Sequence, residues 1–458
     1  MTLRGQVSLA VAAVFVATVT LIVSIETAQG GEDRAGVRVR RDGASEGYTL
    51  VAPSESTTTY LIDLEGDVVH EWRTKSKPGL QVELLDSGDL LRPAKTNRST
   101  PFADGNGWGG VIELLDWDGE KVWSYRYASG KHLQHHDVEP LPNGNVLLLA
   151  WEYIGEADAL AAGRDPDLLK DGELWAEHVV EVDPRSDEIV WEWRSWDHLV
   201  QDRDPSRPNF GDPAVTPDRI DLNYVTDGGA KDWMHANSIA YNPELDQIVL
   251  SVRSFHEIWI IDHSIPTEEA RGPAGNLRFR WGNPAAYGKG GDAPRMLFGQ
   301  HDAEWIGAGL EGTGRISVFN NGTLYRPYST VDELVPVMNG RDYALDERGV
   351  FAGDVARVVW PPEPDPSFFA HHTSGSQRLP NGNTLITDGP HGVAFEVTPA
   401  GERVWEFVNP YFDREADVIQ LNEQEVFKRR RLFRVERYAP DSPGLAELSR
   451  PQAPPEGE

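Results

Sequence analysis

Leu141-Pro-Asn-Gly-Asn-Val-Leu-Leu-Leu149 decides the fold, because it returns as Leu379-Pro-Asn-Gly-Asn-Thr-Leu-Ile-Thr387. Looser relatives stand at Leu85-Asp-Ser-Gly-Asp-Leu-Leu91 and Tyr241-Asn-Pro-Glu-Leu-Asp-Gln-Ile-Val-Leu250. Each joins a turn rich in Asn, Asp, Gly or Pro to an apolar run, the signal of a hairpin entering a buried strand. A second pattern follows: a strand, a turn, then a strand ending in Trp. Examples are Val111-Ile-Glu-Leu-Leu-Asp-Trp-Asp-Gly-Glu-Lys-Val-Trp123, Val179-Val-Glu-Val-Asp-Pro-Arg-Ser-Asp-Glu-Ile-Val-Trp191 and Ala394-Phe-Glu-Val-Thr-Pro-Ala-Gly-Glu-Arg-Val-Trp405. Tyr60-Leu-Ile-Asp-Leu-Glu-Gly-Asp-Val-Val-His-Glu-Trp72 is the same unit nearer the N-terminus. Polarity alternates with period two, as half-buried antiparallel strands require.

Repeats that each supply a small antiparallel sheet build a β-propeller. About five units are countable. A sixth is expected to be shared between the N-terminal strands and Arg431-Leu-Phe-Arg-Val-Glu-Arg437, which would close the ring and remove two exposed edges. The expected fold is all-β: a six-bladed β-propeller of four-stranded antiparallel blades over residues 31–440, its central channel lined by histidines. Two segments break the rhythm. Glu152 to Glu177, with a short helix over Ala157 to Ala162, and Asp197 to Lys231 read either as solvated surface loops or as lids over a channel mouth. Residues 441–458 read as a disordered tail.

Composition narrows the function. A net charge of −30 over 458 residues disfavours nucleic-acid binding and leaves no basic patch for anionic lipid. Loops such as Asp202 to Asp204 suit weak calcium binding at most. The absence of cysteine excludes disulfides, a thiol nucleophile and a cysteine zinc site. Residues 1–30 read as a targeting segment, with Arg4, an apolar run from Val7 to Ile25 and a small-residue cleavage site at Ala28-Gln29-Gly30. The run is also long enough to span a bilayer, so the segment is either a cleaved signal peptide or an N-terminal anchor. In both cases the remainder is exported, periplasmic or secreted. Asn97-Arg98-Ser99 and Asn321-Gly322-Thr323 fit the glycosylation pattern.

Several of the 13 histidines take one place in the repeat, a few residues ahead of the buried strand: His135-His136-Asp137, His235-Ala236-Asn237, His301-Asp302-Ala303 and His371-His372-Thr373. Four blades would then aim imidazoles at one point. Buried imidazoles are costly unless they serve a charge. Three chemistries could use such a ring: a metal, with Asp137 or Asp302 orienting the rings; an anion held by imidazolium and arginine; or a histidine nucleophile assisted by neighbouring His and Arg. A propeller that only binds an anionic or aromatic ligand remains the non-catalytic alternative.

The stretches His135-His-Asp-Val-Glu-Pro-Leu-Pro-Asn-Gly-Asn145, Asp232-Trp-Met-His-Ala-Asn-Ser238, Arg253 in Leu250-Ser-Val-Arg253, and Gln300-His-Asp-Ala303 resemble, in order and approximate spacing, the motifs of the bacterial arylsulfotransferases. The resemblance covers roughly residues 60 to 437. It implies a six-bladed propeller that moves sulfate between phenols in the periplasm, without nucleotide sulfate or cofactor, by a ping-pong route through a sulfohistidine. It implies that His301 is the histidine transiently sulfated, that His235 and Arg253 bind the sulfuryl oxygens and assist the leaving phenol, and that His136, or its neighbour His135, completes the site. His135, His371 and His372 are expected to contact substrate, an aryl sulfate and then a phenol. The best-known relatives also carry an N-terminal β-domain and a disulfide, for which this chain has no cysteine. Sulfuryl transfer has a loose transition state with charge on peripheral oxygens, so positioned cations matter most, and the planar fork of Arg253 suits them. The sequence sets no oligomeric state.

Overall fold

The computed structural model describes residues 35–96, 101–226, 231–291, 293–411 and 429–449. The targeting segment and Asn97-Arg98-Ser99 therefore lie outside the described residues. Among those described, no helix is long and apolar enough to cross a membrane.

Six small antiparallel sheets form the blades of a propeller, each running outward from an inner strand. Blade one is Glu436–Tyr438, Tyr48–Val51, Thr58–Ile62 and Val68–Arg73; blade two is Glu83–Leu84, Leu90–Lys95, Gly110–Leu115 and Lys121–Arg126. Blade three is His132–Pro140, Val146–Gly155, Glu173–Asp183 and Glu188–Arg194; blade four is Ala236–Asn242, Gln247–Val252, Glu257–Asp262 and Phe279–Trp281. Blade five is His301–Trp305, Ile316–Asn320, Thr330–Pro336 and Gly353–Trp360. Blade six is Gly375–Arg378, Thr384–Asp388, Val393–Val397 and Arg403–Val408, with Gly36–Arg40 added as a fifth, outer strand. The ring closes twice: the late strand Glu436–Tyr438 pairs with Tyr48–Val51, and Gly36–Arg40 pairs with Arg403–Val408.

The repeated motifs have a shared physical cause. In the Leu-Pro-Asn-Gly-Asn turns, Gly144 and Gly382 both sit at φ +86°, where a side chain is strained, and their N–H groups bond to Leu141 and Leu379 carbonyls at 2.9 and 3.0 Å. The last Asn of each motif then reaches the Glu of the third strand. Asn145 donates to Glu181 at 2.5 Å and Asn383 to Glu396 at 2.6 Å. The Trp that ends the outer strand staples its blade to the next by an indole N–H. Trp72 donates to the Asp116 carbonyl, Trp191 to Ile265, Trp281 to Gly353 and Trp405 to Leu64, at 2.9–3.1 Å. Trp123 reaches the Asp187 carboxylate at 2.8 Å. At the remaining interface, Trp360 occupies the same place with its indole N–H unpartnered.

The two segments that break the rhythm are packed structure. The first carries a helix at Glu156–Ala161 between the long strands Val146–Gly155 and Glu173–Asp183. The second holds the short parallel pair Leu199–Val200 and Ile220–Asp221. Ile154, Leu174, Leu199, Ile220, Leu222 and Trp233 join them in one buried cluster, so the surface-loop reading is replaced. The tail boundary also moves. Pro443–Ser449 forms a 3-10 helix, and Leu445 is buried against Leu84 and Leu90 of blade two.

Among the described residues, the cavity at the centre of the ring is lined by acids and one arginine rather than by the expected histidines. Residues from the inner strands of all six blades enclose a cavity of about 180 Å3, lined by Glu83, Glu139, Asp302, Glu304, Glu436 and Arg434 with Ala240, Ser376 and Gln377. The histidines occupy the strand starts, and the carboxylates follow one and three residues later. On a pleated strand such positions face differently from the histidine, which is why the register alone pointed both at the axis.

Candidate active site

Four blades share a backbone irregularity at the start of the inner strand. His136, His235, Asp302 and Thr373 have φ of 52°, 50°, 56° and 51°, left-handed values for residues with side chains. The pairing of blades three, four and five shifts register at these points. Such bulges re-aim side chains, and each strained residue costs on the order of 1 kcal/mol or more. The result brings the histidines together. The rings of His136 and His235 lie 4.8 Å apart in an edge arrangement. His301, His235 and Arg253 are close enough to depress the basicity of His136, and Arg253, His235 and His372 act likewise on His301.

His301 is fixed from both sides. Its Nδ1–H donates to Asn321 Oδ1 at 2.8 Å, and that amide is oriented because its own NH2 donates to the carbonyls of Ala370 at 2.7 Å and Thr373 at 2.8 Å. Nε2 accepts from the Thr373 N–H at 3.1 Å. The ring is therefore neutral with its lone pair on Nε2. Burial, then the Arg253 charge, holds its pKa well below the ordinary histidine value, although the Asn321 bond opposes this. His136 is also held well below by burial, followed by His235, His135, His301 and Arg253. The His235 Nδ1–H donates to the Asp232 carboxylate at 2.5 Å, leaving the Nε2 lone pair for the site. Arg253 opens a short 3-10 turn after Gln247–Val252, its N–H on the His235 carbonyl at 3.2 Å.

His135 does not line substrate space, a correction to its expected role. It is fully buried, stacked on Trp151 at 4.1 Å, and bonded on both nitrogens: Nε2 to Glu177 at 3.0 Å and Nδ1 to His136 Nδ1 at 2.8 Å. Glu177 also accepts from the Ala236 N–H at 2.7 Å, so one carboxylate ties blade three to the start of blade four. His371 and His372 stand together, rings 4.3 Å apart, in a basic rim with Arg253, Arg431 and His391. Burial and these neighbours bring His372 down to about 4. Asp137 and Asp302 do not orient the rings. They grip Arg434, at 3.2 and 2.7 Å.

A loop from blade two closes over the cluster. The His136 N–H bonds to the Gly107 carbonyl at 2.7 Å, and Gly107, at φ +81°, lies so near the His136 imidazole that a Cβ there would run into the ring. Phe433 separates His136 from the channel, 6.3 Å from its ring and 5.9 Å from the Arg434 guanidinium. Among the described residues no group of three or more acidic or histidine side chains is arranged to hold a metal ion. Asn321 is wholly buried with its amide committed to His301, which removes it as a glycan acceptor.

Sequence reading missed Glu177, Asn321, Asp232, Thr373 and Arg434. Asp232, Thr373 and Arg434 stood within the quoted stretches. Asn321 was visible only as part of a glycosylation pattern, and Glu177 only as the end of an irregular segment.

No curated protein matches the chain. Among solved structures it is similar to a protein of unknown function from Bacteroides caccae, at 11% identity over 79% of this chain and 94% of that one, TM-score 0.44. It is also similar to a streptogramin B lyase (10%, 83% and 89%, TM-score 0.37) and to a virginiamycin B lyase from Staphylococcus aureus (8%, 81% and 88%, TM-score 0.37). The description Arylsulfotransferase (ASST) matches residues 37–419, a span that takes in His136, His235, Arg253 and His301 together, and the chain belongs to that family.

Proposed function

We propose that the protein is an exported sulfotransferase that moves a sulfuryl group from an aryl sulfate to a phenol through a sulfohistidine at His301, without a nucleotide sulfate donor. The observation that carries this reading is the state of His301: neutral, with its proton held on Nδ1 by Asn321 and its Nε2 lone pair beside Arg253 and His235.

In the first half-reaction the Nε2 lone pair of His301, released from the Thr373 amide, attacks sulfur. The bond from sulfur to the aryl oxygen breaks and the aryl group leaves as its phenolate, whose charge faces Arg253, while Asp232 fixes the His235 ring beside it. Arg253 faces the equatorial oxygens, where a loose transition state concentrates charge. In the second half-reaction the acceptor oxygen attacks the sulfohistidine, the N–S bond breaks and its electron pair returns to His301 Nε2. The rim around His371 and His372, its charge carried by Arg253, Arg431 and His391, whose pKa the Asp388 hydrogen bond raises, suits capture of an anionic ester by a chain of net charge −30.

Purified protein incubated with 4-nitrophenyl sulfate and phenol tests this reading, with intact mass read in parallel. Wild type is expected to release nitrophenol and carry a sulfuryl group, and His301→Ala to do neither, a loss on the order of 10^4-fold or more. No release by wild type, or equal release by the variant, sinks the reading. Export, which rests on residues 1–30, predicts recovery from the periplasm or medium on cell fractionation.

A further inference from the structure

We infer that Glu177 and His135 are positioning residues that fix the tautomer of His136, leaving its Nε2 without a proton as the base for the acceptor phenol. This rests on the sulfotransfer reading above and assigns the second half-reaction.

The inference follows the hydrogens through a dry chain. A carboxylate only accepts. Glu177 is fully buried, takes the Ala236 N–H on one oxygen at 2.7 Å and faces His135 Nε2 with the other at 3.0 Å, so His135 carries its proton on Nε2. A neutral imidazole has one proton, which leaves a lone pair on His135 Nδ1, aimed at His136 Nδ1 at 2.8 Å. The proton between the two rings therefore belongs to His136. Burial and the surrounding positive groups keep His136 neutral at rest, so its Nε2 is bare.

His301 reaches the same tautomer by a different fastening, and the difference assigns the roles. Its Nδ1 proton ends on the Asn321 amide, which cannot receive a charge. That of His136 ends, through His135, on a carboxylate. When the acceptor O–H loses its proton, the O–S bond forms, the N–S bond breaks with its pair returning to His301, and the proton arrives at His136 Nε2. The His136 Nδ1 proton can then shift to His135, whose positive ring lies against Glu177. A buried imidazolium is stabilised there and not beside Asn321.

Glu177→Gln reverses the chain. The amide oxygen can keep the Ala236 N–H while the NH2 donates to His135 Nε2, which moves both imidazole protons and puts one on His136 Nε2. The variant is expected to sulfate His301 at an unchanged rate in a single-turnover burst, yet to transfer to phenol about 100-fold more slowly. Acceptors already ionised at the assay pH need no base and are expected to be used as fast as by wild type. Uncompromised transfer to phenol overturns the proposal, and so does an equal loss with both acceptor classes. Long-range 1H–15N spectra of histidine-labelled wild type give a second reading that needs no variant and no turnover: an unprotonated His136 Nε2 is expected, and a protonated one overturns the proposal. If wild type sulfates nothing, the parent reading fails, while the spectra still decide the tautomer.

Discussion

His136 and Asp137 are neighbours on one strand, as are His301 and Asp302 on another, yet the members of each pair serve opposite clusters. The histidines meet Arg253 and His235 at the strand starts. The aspartates meet at Arg434 in the channel, with Glu83, Glu139, Glu304 and Glu436 around them. Burial acts on both sides but in opposite senses. It keeps the His136 and His301 imidazoles neutral, and it pushes the carboxyls up: Asp137 to about 6 and Glu139 to about 8, where backbone bonds and Arg434 only partly offset it. The same dry interior thus supplies proton acceptors in one cluster and holds protons in the other. In the mechanism proposed above the first cluster carries the chemistry, while the second sits where the inner strands of the blades meet.

That division can be broken on either side. The largest effect is expected from Arg434→Met, which leaves Asp137 and Asp302 buried without their cation. Denaturant unfolding should show a loss of about 3–5 kcal/mol, while turnover per folded molecule changes little. A collapse of turnover without loss of stability would merge the two clusters. Gly107→Ala acts on the opposite side, since its Cβ meets the His136 ring. Transfer is expected to fall about 100-fold, with a loss of stability of about 1–3 kcal/mol from the strained φ and the clash, smaller than that of Arg434→Met.

The channel should also show in a pH titration of stability. Glu139 has a folded pKa raised above its unfolded value, so its proton stabilises the fold fully below about 4.5, and that contribution is lost as pH rises through about 8. Thermal midpoints are expected to decline over this window in wild type and to decline less in Glu139→Gln; identical slopes would remove Glu139 from the account. The smallest effect concerns the blade staples. Trp405→Phe deletes the bond to Leu64 and should cost about 1 kcal/mol, whereas Trp360→Phe, with no such bond to lose, should cost less.

Much of the fold was legible because its causes are local. The Leu-Pro-Asn-Gly-Asn turns, the Glu that receives their Asn and the stapling Trp recur within each unit, and the shared sixth blade follows from the edge it must cover. The histidines were legible through their common register. What held them was not. Glu177 is 42 residues from His135, Asn321 is 20 from His301 and Arg434 is 297 from Asp137, with no pattern linking the partners. The lining of the channel was misread because alternation separates two faces without saying which one meets the axis.

The late strand Glu436–Tyr438 does more than seal the ring. It brings with it Arg434, among the described residues the one basic side chain lining the central cavity, into a set of carboxyls contributed by blades two, three and five. A ribosome makes those acids long before it makes their counter-charge. The nascent propeller must therefore stay open, its acids wetted or protonated, until synthesis has passed residue 434. Closure of the toroid and neutralisation of its hub are one event, and neither can precede the arrival of residues 434–438.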